Sequence, residues 1–190
     1  FLSDNNIDLR DYIEFKRSIV NDIKIIAPKS IMDIACGDDD IIYDFLKINS
    51  SIKVFANDIA LAYLENYHYN KREHAKILFS NLNAVELPFK AGTIDVMFCK
   101  NLLHHLSRGD RKKLITNCLK ICKTMIIVEI LCYREQNDTG KMLHDKFYGE
   151  ILKETKSKEY LSEKQLDELF SDYNIEIQSN KVVDTQNGRY

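Results

Sequence analysis

Four places in this chain of 190 residues combine side chains able to hold a ligand with a spacing that brings them together. The first is Asp33-Ile34-Ala35-Cys36-Gly37-Asp38, where Ala35 and Gly37 leave the backbone open to close approach and Asp33 offers a carboxylate. The second is Asn57-Asp58. Its acid lies 21 positions beyond Gly37, a spacing suited to an aspartate that accepts both hydroxyls of a ribose. The third is Asn81-Leu82-Asn83-Ala84-Val85-Glu86, and the fourth is Lys100-Asn101, followed by His104-His105. Each fragment alone also reads as ordinary structure: an aspartate caps a turn, a glycine turns the chain, paired histidines pack or cap a helix start. Their succession, with no comparable polar group at the opposite ends of the same segments, is the order that one nucleoside-like ligand requires. Asp58, facing a cleft, is expected to make little core contact.

Each fragment closes a strand-length apolar run, at 30–35, 52–58, 75–80 and 93–99, and a fifth run spans 125–131. Helical patterns lie between them at 39–48, 60–71 and 107–121, the last opened by Ser107 with Asp110 as a capping pair. An amphipathic helix precedes them at 8–26, with Leu9, Tyr12, Ile13, Ile19, Val20, Ile23 and Ile26 on one face, and Pro28 ends it. Helices are also expected at 140–155 and at 162–171, where Ser162 and Gln165 form a capping box, before a strand at 175–184. The βαβ alternation predicts an α/β domain with a doubly wound, mainly parallel sheet. In such a sheet ligands bind outside the carboxyl ends of the strands, where all four fragments fall.

With 45% hydrophobic and 29% charged residues, the chain has the composition and length of one globular domain over 1–190. We divide it into an N-terminal helix (1–28), a ligand-binding core (29–131), a lid or substrate segment (132–172) and a C-terminal strand (173–190). A net charge of −2 argues against a dedicated nucleic-acid binder. The five cysteines, Cys36, Cys99, Cys118, Cys122 and Cys132, never fall as CxxC, so no disulfide framework or metal site is expected. Cys118 and Cys122 read as core packing, and the compartment as reducing and cytoplasmic. The apolar stretch at 125–133 is interrupted by Glu129 and is far shorter than the roughly 20 residues of a membrane span. Phe1 in place of an initiating Met implies residues before it.

The stretches IMDIACGD at 31–38, VFANDIA at 54–60 and, most specifically, NAVELPFKAGTIDVMFCKNLLHHL at 83–106 resemble the class I S-adenosylmethionine-dependent methyltransferases, in their small-molecule branch called type 11. The likeness runs over 25–131, and KVVDTQNGRY at 181–190 resembles the family's last hairpin. It implies a Rossmann-like sheet whose last strand is antiparallel and cut short at Tyr190. It also implies S-adenosylmethionine as cofactor, with Asp33, Ala35, Gly37 and Asp38 at the methionine end, Asp58 and Ile59 at the ribose, and Asn83 and Ala84 at the adenine. Lys100 and Asn101 would close the methionine side. His104 and His105 are the candidates for a general base or substrate contact. His144 and Tyr148, one turn apart, are candidates for a substrate-facing lid wall.

The chain departs from the family at two glycines of the first turn, replaced by Ala35 and Asp39. Asp39 is expected to weaken binding by adding a Cβ and a charge near the cofactor carboxylate. Asn83 stands where an aspartate is common and still supplies an acceptor oxygen. The fourth run ends in Cys99-Lys100-Asn101-Leu102, without the Asn/Asp-Pro-Pro-aromatic tetrapeptide that holds a nucleobase amine, and no Pro-Cys pair is present. The cations Arg111, Lys112, Lys113, Lys120 and Lys123 suit phosphate contact or an ordinary solvated helix end. The expectation is therefore a methyltransferase acting on a small-molecule acceptor, without nucleic-acid or membrane partners and with its oligomeric state open. The alternative is a non-catalytic binding or partner protein of the same fold with weak or lost cofactor affinity. A nicotinamide oxidoreductase is disfavoured because no G-x-G-x-x-G follows the first run.

Overall fold

The computed structural model describes residues 9–70, 76–129, 159–178, 184–185 and 188–189. The chain divides into two compact units. The first, Lys16–Leu102 with Arg108–Val128, carries the sheet. The second holds, among the described residues, 9–15, 103–107, 129, 159–178 and two short strands.

Helix α1 (Leu9–Ile26) leads into β1 (Ser30–Ile34), α2 (Ile41–Phe45), β2 (Lys53–Asn57), α3 (Leu61–Asn70) and β3 (Ile77–Ser80). Then come β4 (Ile94–Lys100), α4 (Arg108–Ile121) and β5 (Cys122–Val128). The sheet runs β3-β2-β1-β4-β5 and is parallel at every pairing. Its central strands are apolar on both faces because helices cover both: Ile31, Met32, Ile34, Val96, Met97, Phe98 and Cys99 are all fully buried. Phe98 meets Phe45 of α2 edge to face, ring centroids 5.3 Å apart. Cys118 and Cys122 are buried as expected of core residues, and burial pushes their thiols up to about 12 and about 11. No described helix is long and apolar enough to cross a membrane.

The strand order places the site. The chain moves outward from β1 through β2 to β3, then returns to β4 on the other side of β1, so the connections diverge at the carboxyl ends of β1 and β4. A crevice opens at such a reversal. The register Ile34↔Cys99, with Ile34↔Asn57 and Asn57↔Ser80, brings the ends of β1, β4, β2 and β3 level with one another.

Several expectations need correction. The last strand of the sheet is not antiparallel: β5 pairs parallel with β4. The strand expected at 175–184 is absent from 174–178. Antiparallel pairing occurs instead between β6 (Asp184–Thr185) and β7 (Gly188–Arg189), which bond to each other in a separate ribbon, because a partner two residues away in sequence is the easiest to reach. Strand β5 starts at Cys122, earlier than the run at 125–131, since Cys122 already pairs with Ile94. In the second unit, α5 (Glu163–Ser171) follows Ser162, whose side chain accepts from Gln165 N–H while Gln165 returns a bond to the Ser162 N–H. That is the expected capping box. The helix expected at 140–155 lies outside the described residues.

The amino ends of the strands are not free of polar structure either. Asp95 Oδ2 accepts from Lys29 N–H at 2.8 Å and Ser30 N–H at 3.1 Å, and Lys123 Nζ donates to Oδ1 at 2.6 Å. One carboxylate thus joins the starts of β1, β4 and β5. The Lys123 hydrogen bond, helped by the Lys29 and Ser30 amides, outweighs burial and holds Asp95 below its ordinary value of 3.8. A depressed folded-state value means that the stabilisation is present above the unfolded value and lost as pH falls through the folded one. Thermal melts should therefore find the wild type more stable than Asp95→Asn at pH about 7, with the gap closing as the pH falls below about 4; an unchanged gap would mean that charge does not matter at this joint.

Candidate functional site

The turn after β1 takes an unusual backbone path. Ala35 and Gly37 both lie in the left-handed region, each with φ of 55°. Only glycine adopts it freely, so Ala35 carries a strain of about 1–2 kcal/mol. Asp39, at the third glycine place, is not among the positive-φ residues, so that position does not require glycine. A Cβ built on Gly37 would meet nothing within 4 Å, and the turn therefore presents bare backbone to open space.

Asp58 holds this turn in place. Its Oδ2 accepts the Gly37 N–H at 2.9 Å and its Oδ1 accepts the Ala60 N–H at 2.8 Å. Each oxygen retains a further lone pair, so the carboxylate can take two more donors without releasing the backbone. Asp58 is only 5% exposed. The expectation that it makes little contact with the fold is thus corrected: it ties two loops together. Ile59 beside it is exposed.

The neighbouring loop is hung from β2 by two asparagines. Asn57, fully buried, donates to Leu82 O at 3.0 Å and accepts from Leu82 N–H at 3.2 Å and Ser80 Oγ at 2.9 Å. Asn81 Nδ2 donates to Asp58 O at 2.8 Å and Ile59 O at 2.9 Å. This brings Asn83 and Ala84 to the same end of the sheet as Asp58. Asn83 caps the short turn Ala84–Glu86 by accepting the Val85 N–H at 3.0 Å, and Asn117 of α4 donates to Val85 O at 2.6 Å. Asn83 is exposed and Ala84 buried.

Charge converges at the ends of β1 and β4. Asp33, on β1, is buried. Burial first, then the Asp39 carboxylate, push it well above its ordinary value of 3.8, with Lys100 opposing and Asp58 adding to the rise. Asp39 pairs with Lys100, the last residue of β4, and also accepts the Ile41 N–H at 2.9 Å. Burial resists its charge, yet the Lys100 ammonium, the Ile41 amide and Lys16 hold Asp39 below 3.8. Asp38 is exposed. Asn101 is also left-handed, with φ of 53°, and donates its N–H to Val128 O at 2.8 Å. Its Oδ1 is buried with no hydrogen-bond donor among the described residues. Bare backbone at Gly37, spare lone pairs on Asp58 and the Asn101 oxygen are groups with which a polar ligand could form hydrogen bonds. No group of His, Cys, Asp or Glu able to hold a metal occurs among the described residues.

The second unit has its own polar centre. His104 Nδ1 lies 2.5 Å from Glu129 Oε1, and Glu129 Oε2 accepts the Leu103 N–H at 2.7 Å. A carboxylate only accepts, so Nδ1 is the nitrogen that carries the proton. Tyr160 stacks on the His104 ring at 4.9 Å, His105 lies against it at 4.2 Å, and His104 is 1% exposed. His105 is half-buried. His144 and Tyr148 lie outside the described residues.

Three kinds of participant escaped the sequence reading. Asn57 and Asn81 were legible only as polar stops, although an asparagine just before Asp58 at a strand end is a positioning signal. Glu129 was visible as the one charge inside an apolar run. The pairing of Asp39 with Lys100, distant in sequence, had no local signal.

The profile of a family described as Methyltransferase domain matches residues 31–125. Among solved structures, the fold is similar to a SAM-dependent methyltransferase of Methanosarcina mazei, with TM-score 0.61 and 21% identity over 84% of this chain and 86% of that one. It is also similar to the magnesium protoporphyrin IX methyltransferase of Synechocystis PCC 6803 with bound SAM, with TM-score 0.67 and 12% identity over 96% and 78%. Human N-acetylserotonin methyltransferase in complex with SAM matches with TM-score 0.61 and 15% identity over 83% of this chain and 45% of that one, so the chain spans about half of that protein. No curated protein matches the sequence.

The raised Asp33 yields a pH signature. Its unfolded form releases the proton at lower pH than the folded form, so raising the pH favours unfolding from about pH 4 until the folded value is passed. Asp33→Asn should therefore melt higher than the wild type at neutral pH, with the advantage shrinking toward pH 3. A variant that melts lower at neutral pH would show that the Asp33 charge is compensated in the fold.

Proposed function

The chain belongs to the methyltransferase domain family, and from that premise we propose that it is an S-adenosylmethionine-dependent methyltransferase acting on a small-molecule acceptor. The single observation that carries this reading is the Asp58 carboxylate, fixed by two backbone amides at the switch-point end of the sheet with acceptor capacity to spare. Asp58 would accept the ribose hydroxyls, with Ile59 beside it, while Asn83 and Ala84 border the adenine. The bare backbone of Ala35, Gly37 and Asp38, with Asp33, Lys100 and Asn101, would hold the methionine end. S-adenosylmethionine supplies an electrophilic methyl on a sulfonium; the protein's own contribution is to bind and align, for which effective positioning is the dominant effect.

A base is needed only for an acceptor that carries a proton. Of the two histidine candidates, His105 is accessible enough to touch an acceptor and take its proton on a ring nitrogen. His104, sealed beneath Tyr160 and fixed by Glu129, positions it. The acceptor-determining side chains are sought in 132–172, including His144 and Tyr148. Relatives in fold named for N-acetylserotonin and magnesium protoporphyrin IX favour a small molecule. Three of the cations named above are engaged within the fold, which supports a reading without nucleic-acid contact: Arg111 of α4 is buried, Lys113 of α4 pairs with Asp110, and Lys123 of β5 pairs with Asp95. The setting proposed is cytoplasmic. The second reading, a non-catalytic binding or partner protein of the same fold with weak or lost cofactor affinity, is favoured by one observation, the Asp39–Lys100 pair beside the glycine turn; it would give weak or no binding of S-adenosylmethionine and no turnover on any acceptor.

Calorimetric titration with S-adenosylmethionine tests the proposal. Asp58→Ala should lose about 2 to 4 kcal/mol of binding, roughly 30- to 1000-fold, because two charge-assisted bonds go. Asp58→Asn should lose less. The same Ala variant should also lose about 1 to 3 kcal/mol of stability without cofactor, since two backbone amides are orphaned. Loss of stability with unaltered affinity in the folded fraction would reduce Asp58 to a structural tie.

A further inference from the structure

The Asp39–Lys100 pair straddles the two strand ends between which the strand order reverses. Asp39 stands two residues past Gly37 in the turn after β1, and Lys100 closes β4, the strand beside β1 in the register Ile34↔Cys99. The two side chains are 16% and 17% exposed, so most of the water that would solvate either charge is excluded. A ligand carboxylate that replaces Asp39 on the Lys100 ammonium would therefore meet a cation that water solvates poorly. Asp39 has a second, separable task, accepting the Ile41 N–H through its other oxygen. Its backbone is outside the left-handed region, so Asp39 can be exchanged for Asn without straining the turn.

Building on the cofactor reading above, we propose that Asp39 is a resident competitor for the cofactor's carboxylate. Lys100 is paired with Asp39; to bind the amino-acid end of S-adenosylmethionine, Lys100 turns from Asp39 to the ligand carboxylate. The pair thus keeps the desolvated lysine satisfied before binding and weakens affinity for any adenosine ligand that carries an α-carboxylate. Ligands with the adenosine half alone do not engage it.

The test uses three ligands on the full chain. S-adenosylmethionine and S-adenosylhomocysteine carry the amino-acid end, and 5′-methylthioadenosine lacks it. Asp39→Asn keeps an acceptor for the Ile41 amide while removing the charge, and Lys100→Met keeps the aliphatic stem. By calorimetry, Asp39→Asn should tighten both amino-acid ligands by about three- to tenfold, the range of a partly screened ion pair, and leave methylthioadenosine within about twofold. Lys100→Met should weaken both and leave methylthioadenosine alone. In the Lys100→Met background, Asp39→Asn should give no gain, because its effect passes through the lysine. Unchanged or weaker binding in Asp39→Asn, or a gain that persists without Lys100, overturns the proposal. If methylthioadenosine binds while those changes are absent, only the competitor role falls. If neither methylthioadenosine nor S-adenosylmethionine binds the wild type, the cofactor reading falls with it.

Discussion

The site depends on one carboxylate that holds backbone from two loops at once. Asp58 accepts amides from the turn after β1 and from the loop after β2, and through the Asn81 side chain its own carbonyl is joined to the loop after β3. A turn that passes through two left-handed residues, one of them Ala35, does not persist on local preference. It persists because the Gly37 amide has a buried, charged acceptor waiting at the end of the next strand. How far Asp58 stands from Gly37 is therefore set by the sheet register.

That dependence explains why so much could be read from sequence. Parallel strands buried on both faces read as apolar runs, and the residue where each run stops stands at the carboxyl end of its strand. Asp33, Gly37, Asp58, Asn83 and Lys100 could be assembled in that way because each is local to its own strand. What stayed hidden is what one strand end does to another. That Asp39 meets Lys100, and that Asp95 joins three strand starts, follows from strand order, which local pattern does not encode. The antiparallel last strand failed for a related reason. Its hydrophobic alternation at Ile175 and Ile177 names a face, not a partner, and both side chains are solvent-exposed in the fold.

Electrostatics gives the two ends of the sheet different characters. At the amino ends, Asp95 is matched by Lys123 and backbone amides, and its charge is settled within the fold. At the carboxyl ends, Asp39, Lys100 and Asp58 all act on the buried Asp33, which burial first and then the Asp39 carboxylate drive toward its neutral form. With Asp33 driven neutral and Asp39 matched by Lys100, the Asp58 carboxylate is the charge at this end that is balanced by backbone amides. The His104–Glu129 pair of the second unit is of a third kind, a buried imidazole whose tautomer is set by its carboxylate.

The central claim is that the carboxyl ends of β1, β2, β3 and β4 form one preorganised cofactor cradle. Hydrogen–deuterium exchange, with and without saturating S-adenosylmethionine, tests it most directly. The expected result is slower exchange in peptides covering 35–41, 57–61, 81–87 and 100–102, with no change in those covering the amino ends of the same strands around Ser30 and Asp95. Protection confined to other segments, or no protection by a ligand shown to bind, would contradict it.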